Sequence, residues 1–146
     1  MIIREAAEND YKYISTLSKN ELGYDCNEDL IKEKLKEALI SNHEKIFVAE
    51  DNNEVIGFIH AEDYRCIFTE TMKNILGFAV VQGRQHCGTG AKLLDAVEKW
   101  AVETGAAGIR LNSSFDRVHA HKFYRAKGFN QEKQQIRFVK IFNSEE

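Results

Sequence analysis

The stretch GFAVVQGRQHCGTGAKLLDAVEKW, residues 77–100, decides how the chain is read. An apolar run ends in a segment carrying Gly83, Gly88 and Gly90, and that segment opens into a helical pattern with no proline or polar spacer between them. Leu93, Leu94, Val97 and Trp100 then recur at the spacing of one helix face, which marks them as core packing. A helix N-terminus leaves amide N–H groups unpaired and holds the positive end of the helix dipole, so it attracts anions, phosphates above all. Gly88 and Gly90 carry no side chains to hold a pyrophosphate off that backbone. The turn therefore reads as a phosphate cradle; on these residues alone, a turn that simply permits tight packing is the other reading. Two common nucleotide motifs are not met. After Gly90 come Ala91, Lys92 and Leu93, where a P-loop needs Lys followed by Ser or Thr, and no G-x-G-x-x-G is present.

Outward from this turn the pattern alternates between periods. MIIREA predicts a first strand, and END supplies Asn9 or Asp10 as N-cap for a helix with Tyr11, Ile14 and Leu17 on one face. LGYDC breaks that helix. NEDLIKEKLKEALISN starts another, with Asn27 as cap, acids in its first turn, and Leu30, Ile31, Leu35, Ala38 and Leu39 along a stripe. KIFVAE and EVIGFIHAEDY, joined by DNN, predict an antiparallel hairpin, and NILGFAVV is a third apolar run. After a helix over Ala91 to Thr104, AGIRLNSS predicts a strand. DRVHAHKFYRAKG predicts a helix through Val118, Ala120, Phe123, Tyr124 and Ala126, stopped at Gly128, and QQIRFVKIF a closing strand, with GFNQ as a short extra one. The order β-α-α-β-β-β-α-β-α-β is that of an α/β domain with a mixed sheet and helices on both faces.

With 146 residues, the chain has length for one domain, 1–146. Its composition is 43% hydrophobic and 29% charged, with 9 Phe, 5 Tyr and 1 Trp, enough bulky material for one ordinary core. A net charge of −3 argues against a sequence-independent nucleic-acid binder, which needs clustered Lys and Arg. Cys26, Cys66 and Cys87 have neither metal nor redox spacing, and MIIREAAEND carries acids where a signal peptide would be apolar. The expectation is a cytoplasmic protein with reduced thiols, no metal and no membrane span.

QHCGTG, residues 85–90, matches the (Q/R)-x-x-G-x-(G/A) motif of the GNAT superfamily of acyl-CoA-dependent N-acetyltransferases, and Asn112 with AHKFYRAKGF, residues 120–129, resembles that superfamily's second CoA-contacting segment. The resemblance implies the GNAT-like acyl-CoA N-acyltransferase fold, a mixed central sheet with about four helices, and acetyl-CoA as acyl donor. By similarity, Phe78, Ala79 and Val80 lie on a strand that splays from its neighbour and pairs with the pantetheine arm. Gln85, His86, Cys87, Gly88, Thr89, Gly90 and Ala91 would supply pyrophosphate amides. Asn112 would contact pantetheine, Phe123 would wall the channel, and Tyr124 would protonate the departing thiolate. The chain departs from the commonest pattern at Gln82, where proline is usual, His86, where glycine is usual, and Thr89, where an aliphatic residue is usual.

The acceptor implied is a primary amine of a small molecule, and a homodimer is compatible with the reading. A protein or peptide amine as acceptor, and a non-catalytic acyl-CoA sensor on the same fold, stand as alternatives. His60, Glu62, Asp63 and Tyr64 cluster at a strand end where an acceptor ammonium could lose its proton, with Glu62 as the candidate base; solvated acids at a strand end is the bland reading. Alternation separates His60 and Glu62 from Asp63, so only one set faces the cleft. Cys87 at a helix N-terminus could suggest a nucleophile, but direct transfer to an amine needs none.

Overall fold

The computed structural model describes residues 1–84 and 87–143. They form two compact units, Met1–Asn112 and Ser113–Glu146. The first holds a five-stranded sheet in the order β1 (Ile2–Glu5), β2 (Glu44–Asp51), β3 (Glu54–Tyr64), β4 (Met72–Val80), β5 (Ile109–Leu111). Strands β1 to β4 pair antiparallel and β5 joins β4 in parallel, so the sheet is mixed as the pattern predicts. Asn52 and Asn53 turn the β2–β3 hairpin with φ of 52° and 65°, the left-handed pair that matches strand twist and that asparagine tolerates.

Helices α1 (Tyr11–Leu22) and α2 (Glu28–Ile40) cover one face of the sheet. Their Ile14, Leu17, Leu35 and Ala38 form a core cluster with Ile46, Val48, Phe58 and Ala79 from the strands. Asn27 caps α2 as expected, accepting from Asp29 N–H at 2.6 Å. Asp10 stands before α1 but does not cap it through its side chain. Its buried carboxylate accepts two bonds from Arg4 at 2.8 and 3.0 Å and one from Ala7 N–H at 2.7 Å, which ties β1 to the start of α1. Burial alone would raise that carboxyl's pKa, and these donors outweigh burial and hold it below the usual carboxylate range.

Helix α3 (Thr89–Glu103) lies on the opposite face, its Leu93, Leu94 and Val97 fully buried over Ile59 and Ala61 of β3. It starts two residues earlier than the periodicity predicts. Gly57 of β3 permits the close seating: a Cβ there would meet Ala79 O at 3.0 Å and Leu93 Cδ1 at 3.2 Å.

Among the described residues of the second unit, α4 (Val118–Ala126) is the one helix. Gly128 ends it at φ +95°, and Phe129 N–H donates back to Tyr124 O at 3.1 Å. The expected strands at GFNQ and QQIRFVKIF are absent: residues 129–141 hold no strand, and Ile136, Phe138, Val139 and Ile141 are exposed. Alternating apolar residues suit a strand, but a strand exists only where a neighbour exchanges ladder bonds with it, and this unit holds no other strand among its described residues.

Candidate active site

The expected cradle lies where β4 runs into α3. Val81 N–H still donates to Ile56 O of β3 at 2.8 Å, after which the chain leaves the sheet in successive turns, Arg84 N–H to Val81 O and Cys87 N–H to Arg84 O, with Gly83 at φ +94°. Arg84 pairs with Asp51 at the end of β2, which pins this loop to the β2–β3 hairpin and holds the Asp51 carboxyl below its usual range. Gln85 and His86, both expected in the cradle, lie outside the described residues.

Gly88 is the N-cap of α3, at φ +82° with no side-chain cap, and the first turn carries no acid. A Cβ added at Gly88 would meet nothing within 4 Å. No first-turn acid offsets the positive dipole end of this helix, which suits a pyrophosphate. Thr89 is fully buried and its hydroxyl donates to Met1 Sδ at 3.3 Å, so it fills the inner position of the more usual aliphatic residue and offers the cradle only its backbone. Gly90 is buried beside it, Ala91 is half-buried, and Cys87 is exposed. Gln82, in the usual place of proline, uses the N–H that proline lacks: it donates to Glu21 of α1 at 3.1 Å.

The splay is set by register. Opposite β3, Ile75 faces Ala61 but Gly77 faces His60, so Leu76 is a one-residue bulge. The ladder to β5 covers Lys73, Asn74 and Ile75 against Ile109, Arg110 and Leu111, and stops there. Phe78, Ala79 and Val80 lie beyond it, and because the amides of Val81 and, by alternation, Ala79 point to β3, those of Phe78 and Val80 point to the β5 side.

Asn112 follows β5 directly. Its Oδ1 accepts from Arg110 Nη2 at 3.4 Å. Arg110 also donates to Asn74 Oδ1 at 2.6 Å, Asn74 Nδ2 donates to Glu62 Oε2 at 2.9 Å, and the guanidinium lies 4.3 Å from the Tyr64 ring centroid. The chain Glu62, Asn74, Arg110, Asn112 was not visible in the sequence, because its members come from three strands and meet only through register.

The alternation expected on β3 holds. His60, Glu62 and Tyr64 share the α1–α2 face with Ile46 and Phe58, while Asp63 turns to the α3 face. There Asp63 accepts from Lys73 and bonds His43 Nδ1 at 3.1 Å. Lys73 is only 2% exposed and its ammonium lies 3.6 Å from the centroid of Trp100. Burial would raise the Asp63 carboxyl, but Lys73 and His43 outweigh it and hold it below the usual range. A lysine next to Met72 at a strand start reads as surface, so sequence reasoning missed this buried ion.

In the second unit Phe123 and Tyr124 stand on α4 with ring centroids 5.6 Å apart, edge to face, and Tyr124 meets Phe129 likewise at 5.5 Å. Burial pushes the Tyr124 phenol above its ordinary pKa, against a smaller opposing effect of Arg117. Among the described residues no group of His, Cys, Asp and Glu could hold a metal ion, and no helix is long and apolar enough to cross a membrane. A groove of about 570 Å³ lined by Phe47, Lys92, Asp95, Lys99 and Trp100 runs along the body of α3, not at its N-terminus, and brings together none of these site residues.

Comparison with known proteins agrees with this geometry. The family model described as Acetyltransferase (GNAT) family matches residues 6–129. The N-acetyltransferase YhfO of Bacillus subtilis (strain 168) is 30% identical over 104 residues, 68% of each chain. Among solved structures, the aminoglycoside acetyltransferase AAC(6')-Iy, in complex with a bisubstrate analogue of CoA and acetylneamine, superposes with a TM-score of 0.85 at 21% identity, covering 96% of this chain and 97% of its own. An aminoglycoside acetyltransferase from an uncultured soil metagenomic sample, in complex with sisomicin, gives 0.80 at 23% identity, covering 97% and 95%.

Proposed function

Since the chain belongs to the GNAT family of acetyltransferases and is an acyl-CoA-dependent N-acetyltransferase, we propose that it moves an acetyl group from acetyl-CoA directly to a primary amine of a small molecule. The observation that carries this reading is the join of β4 to α3: a strand that outruns its β5 partner leads into a helix N-terminus capped by a bare glycine. Backbone amides from residues 87 to 91 hold the pyrophosphate, the donor Asn112 NH₂ meets pantetheine, and Phe123 gives the arm an apolar wall. Acetyl-CoA supplies an activated acyl thioester. The β4 backbone beside the acyl end of the arm polarises its carbonyl, and donors aimed at a developing oxyanion are worth several kcal/mol of barrier. Tyr124, kept protonated by burial, donates to the leaving sulfur.

A small-molecule amine is supported by the aminoglycoside ligands of the similar structures and by Glu44 and Glu62 on the α1–α2 face, which suit a cationic acceptor. The test is free-thiol release from acetyl-CoA across a panel of amines that includes neamine, sisomicin, polyamines and a lysine peptide. Release with a small amine and none with the peptide is expected; release confined to the peptide reverses the acceptor class, and none at all removes the activity.

A further inference from the structure

We propose that His60, held by Glu44, is the base that takes the proton from the acceptor ammonium. This rests on the amine-acetylation reading above. Along β3 the residues facing α1 and α2 are Val55, Phe58, His60, Glu62 and Tyr64, with Ile56 a bulge opposite β2: the first two are buried and the last three only partly so. The helix-covered core therefore ends at Phe58, and His60 is the first polar residue beyond it. Across the ladder His60 faces Gly77, the residue after the Leu76 bulge, where β4 parts from β5. A Cβ on Gly77 would meet only the Phe58 ring, at 3.3 Å, so β4 places no side chain beside the imidazole. An acyl arm that starts at the α3 N-terminus and follows β4 back from Val80 reaches the closed end of the splay at this glycine. Five residues, 76–80, span roughly 17 Å of strand, enough for most of a pantetheine arm.

Hydrogen bonds separate the three possible bases. Asp63 is on the other face and already serves Lys73 and His43. Glu62 accepts from Asn74 and orients the chain that ends at Asn112. His60 Nε2 lies 2.7 Å from Glu44 Oε1, and among the described residues its Nδ1 has no protein partner. A carboxylate on one ring nitrogen selects the Nε2–H tautomer, leaves Nδ1 as the basic lone pair, and stabilises the imidazolium once it forms. Near it on this face, among the described residues, are Glu62, Tyr64 and, from β5, Arg110, which is engaged by Asn74 and Asn112, while farther along the sheet Arg4 pairs with Glu50 and Asp10. The helices over it turn Ile14, Leu17, Leu35 and Ala38 inward, and Glu21 of α1 is held at Gln82 N–H.

The step balances. The ammonium gives one proton to Nδ1, its freed lone pair forms the C–N bond, and the C–S bond breaks. The nitrogen loses a second proton as the amide forms, the sulfur gains one, and the imidazolium returns its proton to solvent. Neither carbon nor sulfur changes oxidation state.

The test is the rate of acetyl transfer to neamine or sisomicin, whichever the wild type uses, with CoA affinity measured alongside by calorimetry. His60→Gln should lower kcat by about a hundredfold and leave CoA affinity within twofold. Glu44→Gln should lower kcat by about tenfold with KM for acetyl-CoA unchanged, because the ring loses the acceptor that fixes its Nε2–H tautomer. A folded His60→Gln enzyme with wild-type rate overturns the base while leaving the acetyltransferase reading in place. Should His60→Gln fail to fold, a wild-type kcat in a folded Glu44→Gln enzyme overturns it. A wild type that acetylates no amine in the panel overturns both.

Discussion

Replacing Gly88 with Asp tests the cradle where the structure gives the clearest numbers. The position has φ +82°, an added Cβ meets nothing within 4 Å, and no first-turn acid or side-chain cap is already present. An L-residue in the left-handed region costs about 1–2 kcal/mol, at the low end for aspartate. A carboxylate at a helix N-terminus returns about 0.3–1 kcal/mol through the dipole. The fold should therefore lose no more than about 1 kcal/mol, a shift of roughly 2–4 °C in melting temperature for a chain of this size. Binding should respond differently. A carboxylate about 5 Å from a phosphate charge, at an effective dielectric between 20 and 80, repels it by about 1–3 kcal/mol, or roughly fivefold to 150-fold in affinity. Calorimetric titration with CoA at low and high salt reads this directly, and the loss should shrink as salt screens the pair. Gly88→Ala is the control, since it carries the backbone cost without the charge. Unchanged CoA affinity in a folded Gly88→Asp protein, or equal losses in both variants, would refute anion binding at this helix end.

Lys73→Met should destabilise the first unit by about 3 kcal/mol, because it leaves the part-buried Asp63 carboxylate with His43 as its remaining partner, and Lys73→Met/Asp63→Asn should recover most of that in a thermal melt. The depressed Asp63 pKa stabilises the fold above the ordinary carboxylate range near pH 4 and is lost as pH falls through the lower folded value, so Asp63→Asn should flatten stability against pH in that acid window. Tyr124→Phe should lower turnover about a hundredfold with CoA affinity little changed; because burial raises the phenol's pKa, wild-type activity should show no Tyr124-dependent decline below about pH 10. Asn112→Ala should raise KM for acetyl-CoA several-fold, on the scale of about 0.5–1.5 kcal/mol for one hydrogen bond, and an effect confined to the amine substrate would contradict the pantetheine contact.

Much of this protein is local and so was legible in the chain. The helical stripe Leu93, Leu94, Val97, Trp100, the Asn52–Asn53 hairpin turn, the Asn27 cap and the Gly128 stop each depend on backbone preferences and neighbours a few residues away. The glycine turn before α3 belongs with them, since a bare helix N-terminus is a property of consecutive residues. Alternation on β3 was readable too, and it separated Asp63 from His60 and Glu62 before any coordinates. What the sequence could not decide was pairing between distant segments. The Leu76 bulge, the early end of β5 and the meeting of Glu62, Asn74, Arg110 and Asn112 are consequences of register, which depends on how three strands settle against one another. Lys73 looked like surface because only the folded sheet brings Asp63 and Trp100 to it. The QQIRFVKIF segment shows the same limit in reverse: its apolar pattern suits a strand, but ladder bonds come from a partner strand, and only tertiary structure supplies one.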